Sequence, residues 1–177
     1  ERVGRKELVN KIGIGEGSIR TILKILKEKN LIESNKKGHI LNENGIKELN
    51  KYMEKFSLPF KIYSNDIGNG CKVGIIVHNC SDKISYAGME ERDEAIRNKA
   101  NKALILIYDK KEKIPFRKLK FPNDVYLIDE FSEFIRETEK IEFKEGDVLV
   151  VTFADNYIDA ENSAVAVGLY LSKKIKN

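Results

Sequence analysis

Cysteine is scarce in this 177-residue chain, where only Cys71 and Cys80 occur. Two are too few for a disulfide framework or a four-ligand zinc site. No apolar run approaches the roughly 18–20 residues that span a bilayer, which excludes a helical membrane protein. The opening Glu1-Arg2-Val3-Gly4-Arg5 places no apolar segment behind a basic one, so no secretory leader is expected. There is no internal repeat and no low-complexity tract. No Gly-Lys-Ser/Thr follows the loop Asn65-Asp66-Ile67-Gly68-Asn69-Gly70, so it reads as a turn between strands and not as a phosphate cradle. These absences lead to the expectation of a cytoplasmic globular protein that uses no metal and no cofactor. With 41% hydrophobic and 34% charged residues, the chain can still bury a core. Its length suits one ordinary domain or two small ones.

Charge is distributed unevenly. The net charge is +4, but residues 1–56 carry 13 Lys/Arg against 8 Asp/Glu, leaving 19 against 20 for the rest. The whole positive excess sits in the first third, the asymmetry expected of a chain that meets a polyanion at one end.

Hydrophobic spacing then divides the chain. Arg5–Ile12 predicts a short helix, and Gly13-Ile14-Gly15 predicts a tight turn. Glu16–Asn30 predicts a second helix with Ile19, Ile22, Leu23 and Leu26 on one stripe. Leu31-Ile32 and Ile40-Leu41 flank a polar, glycine-containing turn and predict a hairpin with a basic tip. A last helix follows from Asn42 or Glu43 to Lys55. Helix, turn, helix, hairpin, helix is the winged helix-turn-helix order, with its usual first helix expected before Glu1. Ser57-Leu58-Pro59 ends this part, because proline cannot continue a helix. The expected domains are therefore 1–57 and 58–177.

Beyond proline the pattern alternates. Strand-length runs at Val73–Val77, Ala103–Tyr108, Val125–Ile128 and Val148–Phe153 separate helical patterns at Met89–Ala100, near Glu130–Lys140, and at Asp159–Lys173. The fold class expected is α+β with two domains, the second an α/β domain whose mixed sheet is covered by helices.

Opposite its apolar stripe, the second helix carries Gly17, Arg20, Thr21, Lys24 and Glu28, flanked by Ser18 and Lys27. Arginine can make two hydrogen bonds to a guanine edge, while hydroxyls and lysines reach phosphates or base edges. Lys36, Lys37 and His39 at the hairpin are placed to touch backbone phosphate or a minor groove. The partner expected is double-stranded DNA. One such module reads few base pairs, so a homodimer is expected, with half-sites about 34 Å apart.

Gly13-Ile14-Gly15-Glu16-Gly17-Ser18-Ile19-Arg20-Thr21-Ile22-Leu23, with Leu31-Ile32-Glu33 and Gly38-His39-Ile40-Leu41, resembles archaeal winged-helix regulators. More narrowly, the chain resembles an archaeal family that joins such a domain to a C-terminal domain of unknown function. The resemblance rests on Arg92-Asp93-Glu94-Ala95-Ile96, on Gly146-Asp147-Val148 and on Ala164-Val165-Ala166. It implies a transcriptional regulator and supplies no ligand.

For the second part, Met89, Ile96 and Ala100 define a helical stripe with Arg92 and Asp93 beside its centre. Charges facing a core pair with each other or line a cavity. Both readings stand here: an ion pair, or Arg92 gripping an anionic effector while Asp93 orients it. Asp155 and Asn156 end a strand and Asn162 and Ser163 enter a helix, a common place for ligands in α/β folds, with Asp159 expected as the helix cap. His78 and Cys80 share one strand face but have no third orienting group in sequence, so no catalytic residue is assigned. The leading expectation is a DNA-binding regulator with a C-terminal domain for small-molecule sensing or dimerisation. The competing one makes that domain an enzyme acting on an anionic metabolite, coupled to gene expression by the winged helix. A third makes the winged helix a protein-contact module.

Overall fold

The computed structural model describes residues 2–109, 116–118, 125–126 and 131–174. Six α-helices and two antiparallel sheets lie among them. The chain divides into two compact units, Glu1–Glu54 and Lys55–Asn177.

In the first unit, helix α1 (Arg5–Ile12) ends at Gly13, whose φ of 74° gives the left-handed turn that glycine accepts without strain. Helix α2 (Glu16–Glu28) follows, then strands β1 (Ile32–Asn35) and β2 (Gly38–Leu41), joined by Lys36-Lys37. Helix α3 (Glu43–Met53) starts at Asn42, whose side chain accepts from Gly45 N–H at 2.9 Å. Gly38 is needed where it stands: a Cβ there would lie 2.7 Å from the carbonyl oxygen of Val3, which pairs with His39 across the hairpin edge. The unit's core is small and open. Ile19 and Ile32 are its buried aliphatics, and Ile22, Leu23, Leu26 and Ile46 face a cavity of about 480 Å³ instead of a covering element.

The second unit starts at Lys55, ahead of the boundary expected after Ser57. Phe56 bridges Val77 and is buried with the second unit's core, while Ser57 exchanges hydrogen bonds with Ile76. Its sheet comprises β3 (Phe60–Ile62), β4 (Cys71–Val77), β5 (Lys102–Tyr108), β6 (Phe116–Lys118), β7 (Val125–Tyr126) and β8 (Val148–Ala154), in the order β3-β4-β8-β5-β6-β7. Every described pairing is antiparallel, which corrects the mixed sheet expected from sequence. The reason is topological: β4 and β5 run the same way, but the last strand inserts between them. Leu127, Ile128 and Glu130 of the expected elements lie outside the described residues.

Side chains alternate about this sheet. One face carries Val73, Ile75, Ile105, Val148 and Val150 against α4 (Met89–Arg97) and α6 (Tyr157–Lys174). The other carries Ile76, Leu104, Leu106, Leu149 and Val151, with Phe134 of α5 (Ser132–Thr138). At one end of that face Lys72, Phe153 and Lys102 stand side by side across three strands. The Lys72 ammonium, nearly buried, donates to Asn65 Oδ1 at 3.3 Å and to the Gly68 carbonyl at 2.8 Å. Lys102 donates to the Ile67 carbonyl at 3.3 Å. Helix α5 fastens the neighbouring backbone: Glu137 accepts from Tyr63 and Ser64 N–H, and Asp66 Oδ2 accepts from Glu133 and Phe134 N–H. The 65–70 segment is thus a strand-connecting loop whose backbone is held by side chains.

Helix α4 is rotated from its expected setting. Met89 and Ile96 are about half exposed, and the residues facing the core are Ala95 and, fully buried, Glu91. The Glu91 carboxylate accepts from Ser85 N–H, from Ser85 Oγ at 2.5 Å and from Lys174 Nζ at 3.1 Å. Lys174 also donates to Glu90 at 2.8 Å, and Tyr170 Oη donates to Glu90 at 2.6 Å. These bonds clamp the end of α6 to the start of α4. Burial opposes the charge of Lys174, but its hydrogen bonds with Glu90, Tyr170 and Glu91 outweigh that and hold its pKa above the usual lysine value. The Lys174 ammonium, with the Tyr170 hydroxyl, holds the Glu90 carboxyl below the usual glutamate value.

The signs give a pH window. Glu90's contribution is present above the unfolded glutamate pKa of about 4.3 and disappears as pH falls through its lower folded value. Lys174's contribution is present below about 10.4 and disappears as pH rises through its higher folded value. Lys174→Met should cost about 2 kcal/mol near neutral pH, below the usual toll for breaking a buried pair because the ammonium is partly exposed. It should also flatten the alkaline loss of stability. Denaturant unfolding followed by circular dichroism across pH checks this; an unchanged midpoint at pH 7 contradicts the clamp.

Candidate nucleic-acid interface and ligand residues

Helix α2 presents its cations outward. Arg20 and Lys24 are 69% and 76% exposed, and Ser18, Thr21 and Lys27 are exposed beside them. The face is a mosaic of both signs: Glu16 lies 3.6 Å from Arg20 and 3.8 Å from Arg5, and Glu28 lies 3.8 Å from Lys24. Such exposed pairs are weak and exchange readily for another anion. Thr21 Oγ1 donates to the Gly17 carbonyl at 3.1 Å, which occupies its proton within the helix.

At the hairpin, Lys36 and Lys37 form the tip, and both are exposed. His39 differs from expectation: it lies on β2 and not at the tip. It is half-buried, with its Nδ1 2.7 Å from Ser34 Oγ and its backbone paired to Val3. The tip is therefore a pair of lysines with the histidine behind it.

The six expected ligand residues are distributed over α4, the end of β8 and α6. Arg92, half-buried, donates to the Ala87 carbonyl at 2.5 Å beside the strained turn at Ala87, where φ is 52°. Asp93 is exposed on the same helix. Asp155 and Asn156 lie at the end of β8, where Asn101 donates to Asp155 at 2.7 Å, beyond the C-terminus of α4. The helix cap is Asn156 and not Asp159. Asn156 Oδ1 accepts from Asp159 N–H at 2.9 Å, and its amide donates back to the Asp159 carboxylate at 2.8 Å. The element starts at Tyr157, one half-turn earlier than periodicity placed it, because Tyr157 packs on the core. Asn162 and Ser163 therefore fall in the second turn. Asn162 is exposed, and Ser163 is buried, donating to the carbonyls of Asn98 and Asp159.

The structure also supplies the orienting group absent from sequence for His78. Its Nδ1 lies 3.3 Å from both carboxylate oxygens of the buried Asp147, which accepts from Asn79 and Lys144 N–H as well. Cys80 does not complete a catalytic set. Its thiol is fully buried, and burial, with Asp147, Asp82 and Glu91 nearby, pushes its pKa up to about 12. A thiol held neutral in a core is inert. Among the described residues, no group of three His, Cys, Asp or Glu side chains could hold a metal ion, and no helix is long and apolar enough to cross a membrane.

Residues 67–171, well over half of the chain, match a family described as a domain of unknown function, DUF4443, and the chain belongs to that family. Residues 1–47 match a domain described as PH0730-like, N-terminal. Among solved structures, the chain is similar to the hypothetical protein PH0730 from the archaeon Pyrococcus horikoshii OT3. The two are 28% identical, with a TM-score of 0.78 over 98% of this chain and 86% of that one. No curated protein matches. The expected pairing of an N-terminal domain with a domain of unknown function, with an archaeal relative, holds at that level.

The different exposure of the two thiols is directly testable. Iodoacetamide at pH 8 should modify the half-exposed Cys71 in the native chain and reach Cys80 only after denaturation, as read by peptide mass spectrometry. Native modification of Cys80 contradicts the placement of its thiol.

Proposed function

We propose that the chain is a DNA-binding transcriptional regulator whose first unit is a winged helix-turn-helix and whose second unit senses a small molecule or dimerises. The observation that carries this reading is the outward face of α2, with Arg20 and Lys24 more than two-thirds exposed, in a unit whose hairpin tip is Lys36-Lys37. Helix–turn–helix–hairpin–helix order supports it, since that order lets α2 lie in a major groove while the hairpin reaches adjacent backbone. The charge surplus of residues 1–56 supports it too. Contact with DNA exchanges the Glu16 and Glu28 carboxylates on Arg20 and Lys24 for phosphates and base edges. Neither exposed pair is strong enough to resist that exchange. The chain acts as a homodimer in this proposal, so that two α2 helices reach half-sites about one helical turn apart.

Fluorescence anisotropy on duplex DNA from upstream of its own coding sequence tests the proposal. Arg20→Ala/Lys24→Ala should weaken binding roughly 10-fold or more. The log–log salt slope should become shallower by about 0.9 for each phosphate that is no longer neutralised. Unchanged affinity and slope in the double variant would sink the α2 assignment and favour a protein-contact role for this unit.

A further inference from the structure

We propose that the second unit binds a small organic cation, an amine on an apolar or aromatic body, in the cavity between α5 and strands β5 and β6 of the sheet. This goes beyond the DNA reading and stands whether or not the first unit binds DNA. The cavity measures about 350 Å³, at the small end of the roughly 300–1,000 Å³ typical of ligand sites. It lies on the sheet face away from α4 and α6, remote from the Asp155–Asn156 strand end, where sequence had placed an effector.

Three rings build the wall. Tyr108 stacks on Phe143 with centroids 5.3 Å apart and planes 16° apart, and Phe116 meets Phe143 edge-on at 5.1 Å and 83°. Phe116 also meets Tyr108 edge-on at 5.7 Å and touches Phe134 of α5 at 6.1 Å. Each ring is held by another, so the wall is preformed. Ile135 and Ile141 supply the aliphatic side.

The polar groups set the sign of the ligand. Thr138 Oγ1 spends its proton on the Phe134 and Ile135 carbonyls, at 3.1 and 2.8 Å, so towards the cavity it can only accept. Glu139 is among the residues that line the cavity, and its exposed carboxylate makes no side-chain hydrogen bond or ion pair among the described residues. Among those residues no lysine, arginine or histidine lines the cavity, and the Tyr108 hydroxyl is the one side-chain donor free for it. A nearby carboxylate, an accepting hydroxyl and an aromatic lining together favour a bound ammonium over an anion. The body of the ligand would lie against Phe116, Ile135 and Ile141, with its nitrogen directed to Glu139.

Phenethylamine and 3-phenylpropanoate, of similar shape and opposite charge, serve as probes on the intact chain. Calorimetry and ring-proton shifts of Tyr108, Phe116 and Phe143 read the binding. The amine should bind saturably and at least 10-fold more tightly than the carboxylate. Glu139→Gln, at an exposed position that leaves the fold intact, should erase that preference. Ile135→Trp should fill the cavity and abolish binding of both, with circular dichroism confirming its fold. Absence of saturable amine binding, equal binding of the two probes, or a preference that survives Glu139→Gln overturns the inference.

Discussion

The last strand of the sheet, β8, is buried over all seven residues and on both faces. It lies between β4 and β5 in a register that brings Val73, Thr152 and Ala103 into one row and Ile75, Val150 and Ile105 into another. A shift of one residue would exchange the two faces, moving Val148 and Val150 out of the α6 layer and Leu149 and Val151 into it. Thr152 pins the strand further. Its hydroxyl, in the middle of an apolar layer, donates to the Ala160 carbonyl of α6 at 2.7 Å. Both hydrophobic clusters, and therefore the placement of α4, α5 and α6, depend on this one insertion.

The first unit obeys a different balance. With 54 residues and few fully buried aliphatics, it keeps an open apolar hollow lined partly by exposed side chains, and cations outward on α2. Its order comes from local devices: a left-handed Gly13, the Asn42 cap, and a Gly38 that lets Val3 pair with the hairpin. These fix the helix that carries Arg20 and Lys24 without committing either side chain to strong internal bonds. The proposed site is built from side chains that structure leaves available, whereas in the second unit charged groups such as Lys72, Asp66 and Glu137 hold backbone.

That difference explains what could be read from sequence. Strands β4, β5 and β8 were legible because burial on both faces produces continuous apolar runs, and α2 because a stripe of period 3.6 survives even when half of it faces a cavity. Strand direction was not legible, since the same runs serve a parallel sheet or an antiparallel one with a late insertion. Helix α4 misled for a clear reason. Its larger apolar residues, Met89 and Ile96, face outward, while Glu91 is buried against Lys174, a partner 83 positions away that no local pattern could supply. Asn156 was hidden as a cap by the expectation that Asp159 would do that work, and the aromatic cavity by its assembly from β5, β6, α5 and the segment after it. The outward cations of α2 were visible in advance because helical periodicity alone determines which residues lie opposite the apolar stripe.

The central claim is that the first unit meets DNA through α2 and the hairpin tip. Titration of the isotope-labelled intact chain with duplex DNA, followed by backbone amide shifts, tests it residue by residue. The account predicts shifts concentrated at residues 17–24 and 36–37, with the interior amides of β4, β5 and β8 unmoved. Shifts absent from α2, or centred on the second unit's sheet, would contradict it.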